Sequence, residues 1–173
     1  MLKGMKQLVL TFLLLSGFGL AQTPAPEFQV SGEWFNSEPL SIQDLRGQVV
    51  LVEMWTFGCY NCYRSIPELK TIYDTYKEQG FEIVGVHRPE FAYEKDAENV
   101  AAALSEHDVD WPVFQDNDSE TWRSYKTRAW PSFYLIDAEG IIRYTHVGEI
   151  SEKFPAGLEP STQAIEGLLA ETE

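Results

Sequence analysis

The chain has 173 residues, 44% of them hydrophobic and 23% charged, which suits one domain with a proper core better than two. Its formal net charge is −14, and no basic cluster relieves it, so nucleic acid and anionic lipid are excluded as partners. An acidic surface of this kind keeps a protein soluble, and it steers a basic protein partner toward the domain.

In chain order, residues 1–21 come first. Lys3 and Lys6 precede the uncharged run "LVLTFLLLSGFGLA", which ends in small residues. This is the layout of a secretory signal peptide, and its apolar run is short of the roughly 20 residues a spanning helix needs. Cleavage after Ala21 is expected, with a periplasmic or other extracytoplasmic location; retention as an anchor is the alternative. Loss of two lysines and no acids would take the net charge from −14 to −16. Residues 22–32 read as a tether, and residues 33–173 as the folded domain.

Short extended pieces are expected between Phe28 and Leu40, with turns at Ser31-Gly32 and Asn36-Ser37. Ser41 with Asp44 three positions on resembles a capping box and predicts one helical turn. "VVLVEMW" (Val49–Trp55) is a continuous apolar strand of the kind covered on both faces, interrupted only by Glu53. A helix is predicted from about Cys59 to Glu78, with Cys62, Ile66, Leu69, Tyr73 and Tyr76 on one face, a kink at Pro67 and a stop at Gly80.

"FEIVGVH" (Phe81–His87) is a second buried-type strand. Helices follow over Ala97–His107 and Ser119–Lys126, the latter capped by Asp118 or Ser119. "FYLIDAEGIIRYTHVG" gives two strands joined at Ala138-Glu139-Gly140. "SEKFPAGLEP" reads as a loop, and Ile165, Leu168 and Leu169 mark a last short helix. This order predicts an α/β layer structure with a mixed central sheet.

The chemistry is concentrated in "EMWTFGCYNC". Cys59 and Cys62 are the only two cysteines in the chain. A structural staple is disfavoured by the spacing, because closing so short a ring gains about 2 kcal/mol against about 3 for a fifteen-residue loop. Two thiolates do not close a zinc site, and His87, His107 and His146 lack ligand spacing, so no metal and no cofactor is expected. Cys59 would sit at a helix N-terminus, where backbone N–H groups favour a thiolate. A free thiol with a pKa near 8.5 is only about 3% thiolate at neutral pH, and lowering it to about 7 makes it half thiolate. Cys62, one turn deeper, can reach back to attack a mixed disulfide on Cys59. Glu53, buried without alternation around it, would hold a raised pKa and could take the proton that Cys62 must lose. Pro131 lies just before a strand, a position that suits a cis or a trans bond; were it cis and beside the cysteines, Trp130 would offer its backbone to a bound peptide, and an ordinary strand-entry proline is the reading local sequence favours.

These residues together resemble the thioredoxin superfamily. "WTFGCYNC" is similar to its W-x-x-x-C-x-x-C site, Glu53 falls at its buried acid, Pro67 at its helix kink and Trp130-Pro131 at its cis-proline loop. The exported TlpA/ResA-like branch is more similar still. Within it, the thioredoxin-like domain of DipZ-type proteins resembles "CYNCYRSIP", "GVHRPEFAYEKDAENV", "FQDNDSETWRSYKTRAWPSFYLIDAEGIIRY" and "HVGE".

The resemblance implies a thioredoxin-like fold with an N-terminal extension and an inserted βα segment over roughly Arg88 to Phe114. It implies Cys59 as attacking thiolate, Cys62 as resolving thiol, Glu53 as proton relay, and Trp130, Pro131 and Trp55 as substrate contacts. It further implies reduction of partner-protein disulfides, often in cytochrome c maturation, with a CcdA-type membrane electron donor; a monomer is expected. An oxidase or isomerase is the alternative, and a peroxidase or copper chaperone ranks lower. The P-x-x-x-T-x-x-C motif of a peroxidase is half present, with Thr56 in place but Val52 where proline belongs. His87 has two readings, a partner contact or a hydrogen-bonded structural histidine.

Overall fold

A computed structural model describes residues 22–172. The expected signal peptide lies outside the described residues. The described chain forms strands β1 (Thr23–Pro24), β2 (Trp34–Phe35), β3 (Val49–Trp55), β4 (Phe81–His87), β5 (Val113–Gln115), β6 (Ser132–Ile136) and β7 (Ile141–Val147). Its helices are α1 (Tyr60–Tyr76), α2 (Ala97–Glu106), α3 (Glu120–Ser124) and α4 (Pro155–Glu171). The strands join in one mixed sheet of order β1-β7-β6-β3-β4-β5-β2. β3, β4 and β5 run parallel, whereas β6 pairs antiparallel with β3, and β7 with β6.

The alternation of side chains along a strand divides the core into two layers. Val49, Leu51 and Trp55 of β3 pack with Cys62, Ile66 and Leu69 of α1, with Leu104 of α2 and with Ile165 of α4. Val50, Val52 and Met54 face the other way, against Ile42, Phe114 and Tyr125. Both faces are covered, which is why "VVLVEMW" shows no polar alternation. The same parity places Glu53 on the α1 face, between Gly85 of β4 and Phe133 of β6 in the ladder.

Several local features follow the sequence. Ser41 and Asp44 bond reciprocally, the Asp44 carboxylate accepting from the Ser41 N–H at 3.0 Å and the Ser41 hydroxyl accepting from the Asp44 N–H at 3.1 Å. α1 closes through a single 3₁₀ turn over Lys77–Gln79 onto Gly80, at φ 85°, a left-handed conformation that suits glycine.

Others do not. Residues 22–32, expected as a tether, are built into the fold. Thr23 and Pro24 pair with Ile142 and Ile141, and Ser31 bridges to Asp116. Phe28 packs between Trp34 and Phe114, with ring centroids 6.3 and 5.1 Å away. The stretch expected as a βα insertion does hold a helix and a strand, α2 and then β5, but it also holds an unexpected 3₁₀ turn (Ala92–Lys95), and β5 is too short to register as a pattern. Ser119 is the N-cap residue of α3, but its side chain makes no capping bond. The buried Asp116 carboxylate accepts from the N–H groups of Glu120, Thr121 and Trp122 at 2.8, 3.2 and 2.7 Å. The expected loop over 151–160 is helical from Pro155 onward. Proline is tolerated in a first turn, and the buried Ile165, Leu168 and Leu169 hold the rest despite Pro160.

Candidate active site

Parallel β3 and β4 both end on one edge of the sheet, and antiparallel β6 begins there, at Ser132 opposite Met54. The Trp55–Cys59 turn, His87 and the Trp130–Pro131 loop therefore meet at this edge. Trp130–Pro131 is a cis peptide bond.

Cys59 is the N-cap of α1, with extended backbone (φ −89°, ψ 114°) and no side-chain cap for the helix. Its own N–H donates to the Thr56 carbonyl at 3.1 Å, and its carbonyl accepts from Cys62 at 3.1 Å. Both cysteines are free thiols, Cys59 half-buried and Cys62 buried. Cys59 is lowered to about 7, chiefly by the hydrogen bond from the Cys62 thiol, against burial that pushes it up, and further by the N–H groups of Cys62 and Asn61. Cys62 moves the other way, pushed far above the thiol range by burial first and then by its bond to Cys59 and the Cys59 charge. One sulfur is thus an accessible thiolate near neutrality, and the other is held as a buried thiol.

Glu53 is 1% exposed, and its Oε1 has no hydrogen-bond partner. Burial, and secondly the charge of Cys59, push its pKa up to about 8. It titrates near neutrality in electrostatic contact with both thiols. Pro131 is buried, and its carbonyl accepts from the Gly148 N–H at 2.9 Å. Trp130 is partly exposed and packs on Trp122 at 4.7 Å between centroids, with the Arg88 guanidinium 4.9 Å over its ring.

Trp55 is a correction. Expected as a substrate contact, it is 1% exposed and stands edge-on to His87 at 5.4 Å. It floors the site from inside the core, because residue 55 shares the inward parity of Glu53. Of the two readings of His87, the structural one holds. His87 is 0% exposed, stacks on Phe57 at 5.3 Å and lies 3.2 Å by Nε2 from the Thr56 hydroxyl. Burial lowers its pKa to about 4. Thr56 in turn donates to Glu94 at 2.7 Å. Sequence reasoning missed Glu94, since nothing in the polar run "EFAYEKDAEN" marks one of its acids as buried. The one available signal was Glu94 three positions after Phe91, whose N–H its carboxylate accepts at 3.3 Å. Among the described residues, no group of three or more His, Cys, Asp or Glu side chains could hold a metal ion.

A half-buried low-pKa thiolate, a buried thiol one turn behind it and a carboxyl group titrating near neutrality make an arrangement suited to thiol–disulfide exchange. Over 128 residues the chain is 40% identical to protein DipZ of Mycobacterium bovis, a match of 72% of this chain and 18% of that protein, so the chain spans under a fifth of that relative. Over 150 residues it is 26% identical to the thiol-disulfide oxidoreductase YkuV of Bacillus subtilis, 87% of this chain and 97% of that one. Among solved structures, a thioredoxin-like superfamily protein superposes with a TM-score of 0.73 at 30% identity, covering 85% of this chain and 96% of its own. The fold is thioredoxin-like. Residues 21–145, which contain every side chain placed at the site above, match the AhpC/TSA family, and to that family the chain belongs.

Proposed function

We propose that the protein is an exported dithiol reductase that returns disulfides of partner proteins to thiols outside the cytoplasm. The observation that carries this reading is the split between the two sulfurs, with Cys59 lowered to about 7 and Cys62 raised. The likeness to YkuV along nearly all of both chains supports it. The Cys59 thiolate attacks one sulfur of the partner disulfide, the partner S–S bond breaks, and a Cys59–partner disulfide forms as one partner thiolate leaves. Cys59 has then lost its charge, and the repulsion that helped raise Glu53 goes with it. Glu53 shifts toward its carboxylate form at the step where Cys62 must give up a proton, and it takes that proton directly or through a water. Cys62 attacks Cys59, the second partner thiolate leaves, and two electrons have passed to the partner. The product is a Cys59–Cys62 disulfide.

Turnover needs a dithiol donor to reduce that disulfide. A CcdA-type membrane transporter is the donor we assign, by the resemblance to the TlpA/ResA branch, with cytochrome c maturation as the setting. Export rests on the basic, then apolar, then small-residue layout of residues 1–21. A peroxidase reading is weaker because Val52 stands where that motif has proline and the Thr56 hydroxyl is committed to Glu94 and His87. The test is the potential of the Cys59–Cys62 couple together with Cys62→Ser partner capture in the native envelope. A potential at or below about −200 mV and trapped disulfide partners support the reductase. A value near −120 mV makes the protein an oxidase, and an empty trap removes the exchange mechanism.

A further inference from the structure

The exchange steps leave one buried carboxylate behind the active-site turn unused. Glu94 sits in the polar stretch between β4 and α2, yet it is 0% exposed. Its Oε2 accepts from the Thr56 hydroxyl at 2.7 Å and from the N–H groups of Glu90 and Phe91 at 2.6 and 3.3 Å. Its Oε1 has no partner and lies against Gly58, where a Cβ would collide with it. A buried carboxylate with an unpaired oxygen is destabilising where an apolar side chain of like size would not be. Packing alone therefore does not account for an acid here.

The hydrogen bonds have one consistent direction. A threonine hydroxyl has a single proton, and Thr56 gives it to Glu94. The 3.2 Å contact between Thr56 Oγ1 and His87 Nε2 is then donated by the imidazole. That puts the ring proton on Nε2 and leaves Nδ1 bare, and Nδ1 is the His87 nitrogen with no partner. The path runs from His87 through Thr56 to Glu94. The other half of Thr56, its carbonyl, accepts the Cys59 N–H at 3.1 Å. One residue is held by its side chain to the segment after β4 and by its main chain to the nucleophile.

We propose that Glu94 is a positioning residue for Cys59. By holding Thr56 and filling the space beside Gly58, it fixes the Thr56–Cys59 turn and sets the Cys59 sulfur against the donors at the start of α1. The proposal rests on the reading of Cys59 as the attacking thiolate. With Glu94 in place the turn holds the sulfur beside the N–H groups at the start of α1; without it the turn loosens and their stabilisation of the thiolate weakens.

The test follows alkylation of Cys59 by iodoacetamide against pH in the intact protein, with thermal unfolding recorded alongside. Wild type is compared with Glu94→Gln, Thr56→Val and Thr56→Ser. The alkylation midpoint should rise by about half a unit to one unit in Glu94→Gln and Thr56→Val. Disulfide reduction should slow by about tenfold or more in both. Thr56→Ser, which keeps the hydroxyl, should restore most of each. A loss of thermal stability with a wild-type midpoint and rate in folded Glu94→Gln or Thr56→Val overturns the proposal and leaves Glu94 a structural residue. Should Glu94→Gln not fold, Thr56→Val carries the same comparison. Alkylation needs no protein substrate, so a wild type that reduces no disulfide would remove the proposed function while this test still reads.

Discussion

At the scale of residues, the site is set by who is buried with whom. Glu53 and His87 are both buried and both displaced toward their neutral forms, in opposite senses of pKa. The Glu53 pKa is raised from 4.5 to about 8, so between those values the folded state holds a proton that the unfolded state has released. Its contribution to stability is complete below pH 4.5 and is lost as pH rises toward 8. His87 works the other way, losing stability as pH falls from 6.5 toward 4. Comparing wild type with Glu53→Gln by urea unfolding cancels His87, which titrates in both. The variant should gain on wild type as pH goes from 5 to 8, by on the order of 4 kcal/mol in the reduced protein. A constant difference across that range would mean Glu53 is ionised in the fold. The same substitution should slow resolution of a Cys59 mixed disulfide by about a hundredfold, read by stopped flow at neutral pH.

At the scale of elements, the strands and helices that build the site were legible, and the pieces that close it were less so. β3, α1, β4 and β6 declare themselves through nearly continuous apolar runs or a four-and-three spacing, and Cys59 falls at the N-cap as the spacing predicts. β5 has three residues, too few for any period to show. Asp116 caps α3 from four to six positions upstream, outside the local window in which a cap is sought. Glu94 bonds Thr56 across 38 positions, and nothing in either segment announces the other. Residues 22–32 look like a linker because their contribution lies in long-range contacts, such as Phe28 against Phe114 and Gln29 with Thr121. Phe28→Ala should therefore destabilise the domain by about 2 kcal/mol, seen as a lower urea midpoint with an unchanged slope. An unchanged midpoint would return this segment to the role of a tether. Asp116→Ala strands three N–H groups at a partly buried helix start, and about 3 kcal/mol should be lost in the same assay.

At the scale of the whole molecule, charge and redox site have to be considered together. The chain carries 27 acidic against 13 basic residues, and the thiolate at Cys59 adds one more negative charge at the sheet edge. A partner reaches the half-buried Cys59 through the field of the entire surface. At physiological ionic strength that field reaches about 8 Å from the surface, and dilution of salt extends it. A partner with basic residues around its disulfide is drawn in, and an acidic one is repelled, before any contact is made. The rate constant for reducing a cationic disulfide protein should accordingly fall by about tenfold between 10 mM and 500 mM salt, while that for an acidic one rises. The chemical step should not share this dependence. Reduction of a small uncharged disulfide, followed in the same buffers, should vary by less than about twofold. Equal salt responses for cationic and acidic partners would show that the surface charge keeps the protein in solution and has no part in selecting what reaches Cys59.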